Sequence, residues 1–554
     1  MKSRHVLILA LITVSFLGKT QDTEVSRVNR YFIYFSNKSG SAYPYSISNP
    51  GAFLTQRAID RRAKQGIAIN ESDLPVNPSY VQGLRNEGID VFFTSRWMNG
   101  ALVNADTTLL DAVAKLSYVD SIALIADTTV LSYEQNIPAD PVSFDPPISQ
   151  NGDSNIQLGM LGAFYMHTDD IKGQGMRIAV LDNGFTGINQ FSPFQHIWEN
   201  DRIIATKDFV RNSGNVFQYG DHGTSVFSII AANHESPEGD LIGIAPEAEY
   251  ILCVTEENGS EDRVEEYNWL LGAEFADSLG ADVLNASLGY NTFDIPEHNY
   301  SKSDLDGRTA VISMAAEMAA RKGMIIVTSA GNSGRRNPPE NLISHPADAD
   351  RILSVASVTP NFERSEFSSI GPTADGRIKP DIAAFGDGTA VMRGNGAIER
   401  GGGTSFASPL IAGFAACIWQ ANPERTYNEV IAAIKNSGHQ DHKPDTLLGW
   451  GVPNYVYAKD VKALNVNDIL EDKVTFYPNP FRGDTLFLIT DGEFKEGMQI
   501  KILDPKGSLI FNQEFKRNDI KENMELNIDG SQQGVYFLFL QIGNNQKIVK
   551  LLNF

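Results

Sequence analysis

The stretch Gly402–Gln420, GGTSFASPLIAGFAACIWQ, decides how this chain reads. Small residues and one hydroxyl lead into a long apolar run. Glycine permits close backbone approach, and proline is accepted near a helix start. Ser405 is therefore expected in the first turn of a mostly buried helix, where an unpaired backbone N–H can face an anion. Serine is also a common helix cap, so the stretch needs support from the rest of the chain.

That support comes from two other junctions. Met176–Leu181 (MRIAVL) reads as an apolar strand and runs straight into Asp182-Asn183-Gly184. Asp221-His222-Gly223-Thr224-Ser225-Val226 leads into an apolar helix through Ile230. Alone, the first is an ordinary turn and the second a satisfied core histidine. Around them, the segments 248–254, 282–288, 324–329 and 352–358 read as further short strands. Val264–Leu279 and Ala310–Lys322 read as helices between them. Such alternation predicts an α/β fold, a mostly parallel sheet with helices on both faces. Functional residues then belong beyond the strands' carboxyl ends.

A serine hydroxyl becomes a useful nucleophile when an imidazole takes its proton, and a buried carboxylate can fix that imidazole's tautomer. In chain order the candidates are Asp182, His222 and Ser405. An α/β-hydrolase would place serine first and carry G-x-S-x-G, which Ser405 lacks. The blocks VLDNG (Val180–Gly184), HGTSV (His222–Val226) and GTSFASP (Gly403–Pro409) together resemble the subtilisin-like serine proteases. The resemblance covers about residues 151–459. It implies Asp182 as the orienting carboxylate, His222 as general base and then acid, and Ser405 as nucleophile. Ser329-Ala330-Gly331-Asn332-Ser333-Gly334 resembles the family's oxyanion block, which implies Asn332 and the Ser405 backbone N–H as donors to a tetrahedral oxyanion. Ser287-Leu288-Gly289 resembles the extended segment against which substrate backbone lies. Two positions depart from the pattern. Asn183 follows Asp182 where Thr or Ser is usual, and Phe406 follows Ser405 where Met is frequent. Phe406 is bulky enough to reshape a substrate pocket.

The flanks read as companions of an exported protease. Lys2, Arg4 and His5 precede the apolar run Val6–Leu17, so residues 1–20 have the form of a signal peptide. Residues 24–131 read as a small α/β domain with strand RYFIYF (Arg30–Phe35) and helix Phe53–Lys64 (FLTQRAIDRRAK). The basic residues Arg57, Arg61, Arg62 and Lys64 on that helix read as a solvated surface rather than a docking face. Phe53–Ala58 and Ser95–Asn99 resemble the N-terminal prodomain of Bacteroidetes members of the family, which implies a folding aid that covers the cleft and is removed. Residues 132–150 are a proline-rich connector. From 471 to 554, short strand candidates at regular spacing suggest a β-sandwich. Tyr477–Phe481, Gly534–Tyr536 and Lys547–Lys550 within it resemble a type IX secretion sorting domain, which implies that machinery as a partner and a secreted or outer-surface location.

Composition sets the outer limits. A chain of 554 residues holds about three or four domains. Its net charge of -22 and lack of basic runs argue against a nucleic-acid partner. Beyond the first residues no segment reaches membrane-spanning length, so the mature form has no integral span. Cys253 and Cys417 are the two cysteines, and either a bridge or two buried thiols fits them. Catalysis by the serine set needs no cofactor. The family often carries a stabilising calcium, for which Asp304 and Asp306 in SDLDGR are candidates, although their spacing also fits a solvated acidic turn. The expected activity is endopeptidase action on protein or peptide substrate through an acyl-enzyme. The competing reading is a catalytically silent peptide-binding module on the same fold.

Overall fold

The computed structural model describes residues 29–39, 43–126, 148–149, 153–236 and 239–459. Within 474–553 it describes the strands and several of their turns. The export segment 1–20, nearly all of the connector 132–150 and most of the Tyr477–Phe481 motif lie outside the described residues.

An N-terminal unit comes first. Its strands are β1 (Asn29–Phe35), β2 (Asp90–Ser95), β3 (Gly100–Ala105) and β4 (Val119–Ala126), paired in the order β2-β3-β1-β4. Helices α1 (Gln56–Lys64) and α2 (Pro78–Asn86) lie between β1 and β2, capped by the side chains of Thr55 and Asn77. The unbroken apolar run of β1 has a physical reason: both faces are covered. Tyr31, Ile33 and Phe35 fill the unit's own core with Leu84, Ile89 and Val103. On the opposite face Phe32 and Tyr34 meet Tyr267, the two hydroxyls 3.1 Å apart.

The central unit is built on a parallel sheet of seven strands. In chain order these are β5 (Arg177–Asp182), β6 (Ile203–Asp208), β7 (Glu249–Val254), β8 (Val283–Ala286), β9 (Ile325–Ser329), β10 (Leu353–Val358) and β11 (Ile382–Phe385). In space they run β11-β10-β9-β8-β5-β7-β6. The strand order reverses beside β5, which puts a crevice outside the carboxyl ends of β5, β7 and β8. Helices α3 (His222–Ala231), α4 (Val264–Ser278), α5 (Val311–Arg321) and α6 (Thr404–Ala421) pack on the sheet. Nearly all of α6 is buried. Burial of each of its Leu410, Ile411, Phe414 and Ile418 side chains contributes about 1.5–3 kcal/mol relative to exposure.

The helix α1 corrects the reading of its basic face as solvated. Arg61 and Arg62 are buried against the central unit. Both guanidiniums reach Asp277 on α4 at 2.6 Å, and that of Arg96 reaches it at 2.7 Å. Arg62 also pairs with Asp73, which Lys322 reaches at 2.7 Å, and Arg57 pairs with Asp282. Glu274 accepts from the Ser95 hydroxyl and from the backbone N–H groups of Arg96 and Trp97. Desolvation would push the Asp277 carboxyl up, but the three guanidiniums outweigh it and hold it at about 2.

The C-terminal residues form two antiparallel sheets, one of three strands and one of four. Leu486, Leu488 and Leu526 from the first interdigitate with Ile500, Ile502, Leu538 and Leu540 from the second in one core. The alternation of buried and outward residues along Met498–Leu503 is that of a sandwich strand. Cys253 and Cys417 are free and buried, and burial raises both thiols well above their ordinary range. Among the described residues no helix is long and apolar enough to cross a membrane.

Candidate active site

Asp182 is the last residue of β5, and its side chain has no exposure. His222 opens α3, and its Nδ1 lies 2.8 Å from Asp182 Oδ1. The same oxygen accepts the N–H of Asn183 at 2.8 Å, whereas Asp182 Oδ2 is buried with no partner among the described residues. Gly223 makes the approach of helix to strand possible. A Cβ there would stand 2.4 Å from the Gly184 carbonyl oxygen and 2.9 Å from Asp182 Cβ.

Ser405 is the second residue of α6. Pro409 sits inside this helix, a turn beyond the start where sequence reading put it. Having no N–H, it leaves the Ser405 carbonyl without its helical donor. The Ser287 hydroxyl takes that place at 2.8 Å, and the Ser405 hydroxyl in turn donates to the Ser287 carbonyl at 3.3 Å. The Ser405 hydroxyl is therefore parked on Ser287 rather than on His222. Serine–histidine bonds of this kind often close only in the substrate complex.

Asn332 lies just past β9. Its Oδ1 accepts from the Thr404 backbone N–H at 2.9 Å and from the Thr404 hydroxyl at 3.0 Å. These bonds fix the amide's orientation and leave Nδ2 as the free donor. Ser287, Leu288 and Gly289 prolong β8, and with His222, Asn332 and Ser405 they line one cavity of about 870 Å³. At Gly289 a Cβ would meet the Ser344 hydroxyl, which would have to turn away to admit it.

Phe406 corrects the expectation of a reshaped pocket. It is buried, packed under Gly401 with its ring 6.0 Å from that of His222, and it does not line the cavity. The other departure, Asn183, has a positive use. Its amide nitrogen reaches Asn258 Oδ1 at 2.7 Å, tying the Asp182 turn to the loop after β7.

That loop holds what sequence reading missed. The carboxyls of Glu256, Glu261 and Glu265 bring ligand atoms within 4.8 Å of one another, and such a group could coordinate a metal ion. It is the one cluster of that kind among the described residues. Burial raises Glu256 to about 8, with nearby Asp182 adding to the effect, and raises Glu261 to about 7. Asp304 and Asp306 do not join the cluster. Asp304 Oδ2 accepts the N–H of Ser301, and Asp306 Oδ1 accepts the N–H groups of Arg308 and Thr309, the pattern of two acidic turns. The only local signal for the cluster was an acidic loop after an apolar strand.

Comparison with known proteins follows the same division. The model of the Subtilase family matches residues 173–451. The chain belongs to the subtilase family. The family is one of serine proteases, and this subtilase also matches the Peptidase S8 propeptide domain of Bacteroidota over residues 30–139. Residues 475–552 match a secretion system C-terminal sorting domain, which marks the subtilase for export to the cell surface through that machinery. It is 30% identical over 312 residues to the serine protease AprX of Bacillus subtilis, covering 51% of this chain and 66% of that one. It is 28% identical to subtilisin E of Bacillus subtilis over 341 residues, covering 60% of this chain and 75% of that one. Among solved structures, the epidermin leader peptide processing serine protease of Staphylococcus aureus shares the fold. That comparison has a TM-score of 0.52 at 17% identity and covers 79% of this chain and 100% of that one.

Proposed function

We propose that this subtilase is an exported endopeptidase in which Ser405 attacks the scissile carbonyl of a protein or peptide. The observation that carries the reading is one cavity wall shared by His222, Ser405 and Asn332, with Asp182 buried behind the imidazole. His222 Nε2 takes the Ser405 proton as the Oγ–C bond forms, and returns it to the leaving amine as the C–N bond breaks. Water then repeats the sequence on the acyl-enzyme, releasing the acid and restoring Ser405. Asp182 holds the Nδ1–H tautomer. Asn332 Nδ2 and the Ser405 N–H receive the oxyanion, and Ser287–Gly289 pairs with substrate backbone. The chemistry of these side chains needs no cofactor. Residues 24–131 act as the prodomain and 151–459 as the protease.

A fluorophosphonate probe tests the nucleophile directly. Matured enzyme should form an adduct on the peptide containing Ser405, and the Ser405→Ala enzyme should form none. Absence of adduct in folded, matured protein would instead support the silent binding module. Asn332→Leu should lower kcat by about 10²–10³ with little change in KM, as removal of one oxyanion donor does. Equal loss in KM would count against the donor role.

The pH dependence has a definite sign. Burial pulls the His222 imidazolium down, but the Asp182 charge and hydrogen bond outweigh it and raise the ring to about 8. Only neutral imidazole can accept the serine proton. kcat/KM should therefore rise with pH through about 8 and level above it. Glu256 titrates in the same window, so the limb belongs to the coupled pair. A limb centred near the unperturbed histidine value of about 6.5 would contradict the Asp182 contact.

A further inference from the structure

We propose that Glu256, Glu261 and Glu265 form a subsite for a basic side chain, lysine or arginine, of the peptide substrate. The inference deepens the endopeptidase reading and rests on it. Glu256 and Glu261 line the same cavity as His222, Ser405 and Asn332. Glu265, in the first turn of α4, stands behind them with 1% exposure. Its Oε1 is occupied by the N–H of Glu257 at 2.8 Å, while its Oε2 is buried without a partner. A buried carboxyl oxygen with no donor is costly unless something arrives to meet it.

No resident cation meets the cluster. Among the described residues none of the three carboxyls forms an ion pair, and neighbouring Glu257 is the one taken by Arg211, at 2.6 Å. Arg263, close in sequence, is turned onto the Phe293 and Tyr300 rings and donates to the His298 carbonyl. Lys302 and Arg336 line the same cavity but make no ion pair with the cluster. The Tyr290 hydroxyl donates to Glu256 Oε1 at 3.3 Å, and Asp294 adds a further carboxylate to the same cavity wall.

The geometry favours an organic cation over a metal. Calcium requires about six to eight oxygens, and three carboxyls with two oxygens already engaged fall short of that. A guanidinium or ammonium needs only a few acceptors, and a long methylene stem can lie along an apolar wall such as Phe293. Because the cluster opens into the cavity that holds Ser405, a side chain can reach it while its backbone lies along Ser287–Gly289.

The test is a set of internally quenched peptides cut by matured enzyme, with one arginine walked through every position of an otherwise neutral sequence. At one position arginine should raise kcat/KM by about tenfold or more over its glutamine counterpart, the scale of a charge-assisted hydrogen bond. Lysine should follow in part. Glu261→Gln and Glu256→Gln should each shrink that ratio severalfold, and the ratio is read independently of overall turnover. A ratio near one at every position, with neutral peptides cut normally, overturns the subsite and leaves the protease reading intact. Excess calcium that accelerates basic and neutral peptides alike, reversed by chelator and abolished in Glu261→Gln, would make the cluster a metal site instead. If no peptide is cut, the protease reading fails separately. Fluorescence anisotropy of the same peptides on the same protein then supplies the arginine-to-glutamine ratio as a binding ratio, with the same outcomes deciding it.

Discussion

The Asp182→Asn enzyme should fold normally and lose about 10⁴ in kcat, the scale found when a buried triad carboxylate becomes an amide. The two side chains are nearly the same size, so the site keeps its packing. What changes is the proton inventory. Asp182 Oδ1 accepts from both the His222 ring and the Asn183 N–H, and an amide can turn an NH₂ toward the ring. The imidazole then accepts on Nδ1 and carries its proton on Nε2, where Ser405 needs a base. The charge that raises the ring to about 8 is lost as well, so burial is left to lower it. Turnover measured per titrated active site, with a pH profile, checks both effects. A loss below about tenfold would remove Asp182 from the orienting role.

The Asp277→Ala chain should lose the docking of its N-terminal unit. One buried carboxylate receives the guanidiniums of Arg61, Arg62 and Arg96, and its removal leaves those cations facing each other. Breaking a buried pair from one side destabilises by about 3–5 kcal/mol. An exposed pair such as Arg335–Glu366 should contribute at most about 1 kcal/mol and serves as control. Denaturant unfolding of the full-length Ser405→Ala chain, with and without Asp277→Ala, reads the difference. An early transition assigned to the N-terminal unit is expected, and identical curves would refute it. Acid should mimic the substitution. Asp277 is held at about 2, below its ordinary 3.8, so its contribution is complete above about pH 4 and fades as pH falls toward 2.

Legibility in the sequence followed the range of the interactions. Asp182, His222 and Ser405 each sit at an element junction whose local residues, a strand end or a helix start, are visible in a short window. The sandwich strands were likewise written in local alternation, and β1 in an unbroken apolar run. The burial of Arg61 and Arg62 was not, because their main partner, Asp277, lies more than two hundred residues away and no helical period announces it. Strand β6 was passed over because half of IIATKD is polar, as suits a sheet edge. Strand β11, IAAF, is too short and too rich in alanine to advertise itself. The acidic cluster joins residues from a loop and a helix start, which only the folding of 255–264 brings together.

Pro409 has a mechanical consequence. By withholding its N–H it sends the Ser405 carbonyl to the Ser287 hydroxyl, and the return bond from the Ser405 hydroxyl closes a two-point clasp across 118 residues of chain. A peptide lying on Ser287–Gly289 is then held by the same body that carries the attacking atom. Thermal displacements of wall and nucleophile become correlated, so the error in attack distance is their difference rather than the sum of two independent motions. Reactions that depend on sub-ångström approach are sensitive to that variance. A helix with alanine at 409 would keep its ladder intact and let the two halves of the clasp drift separately.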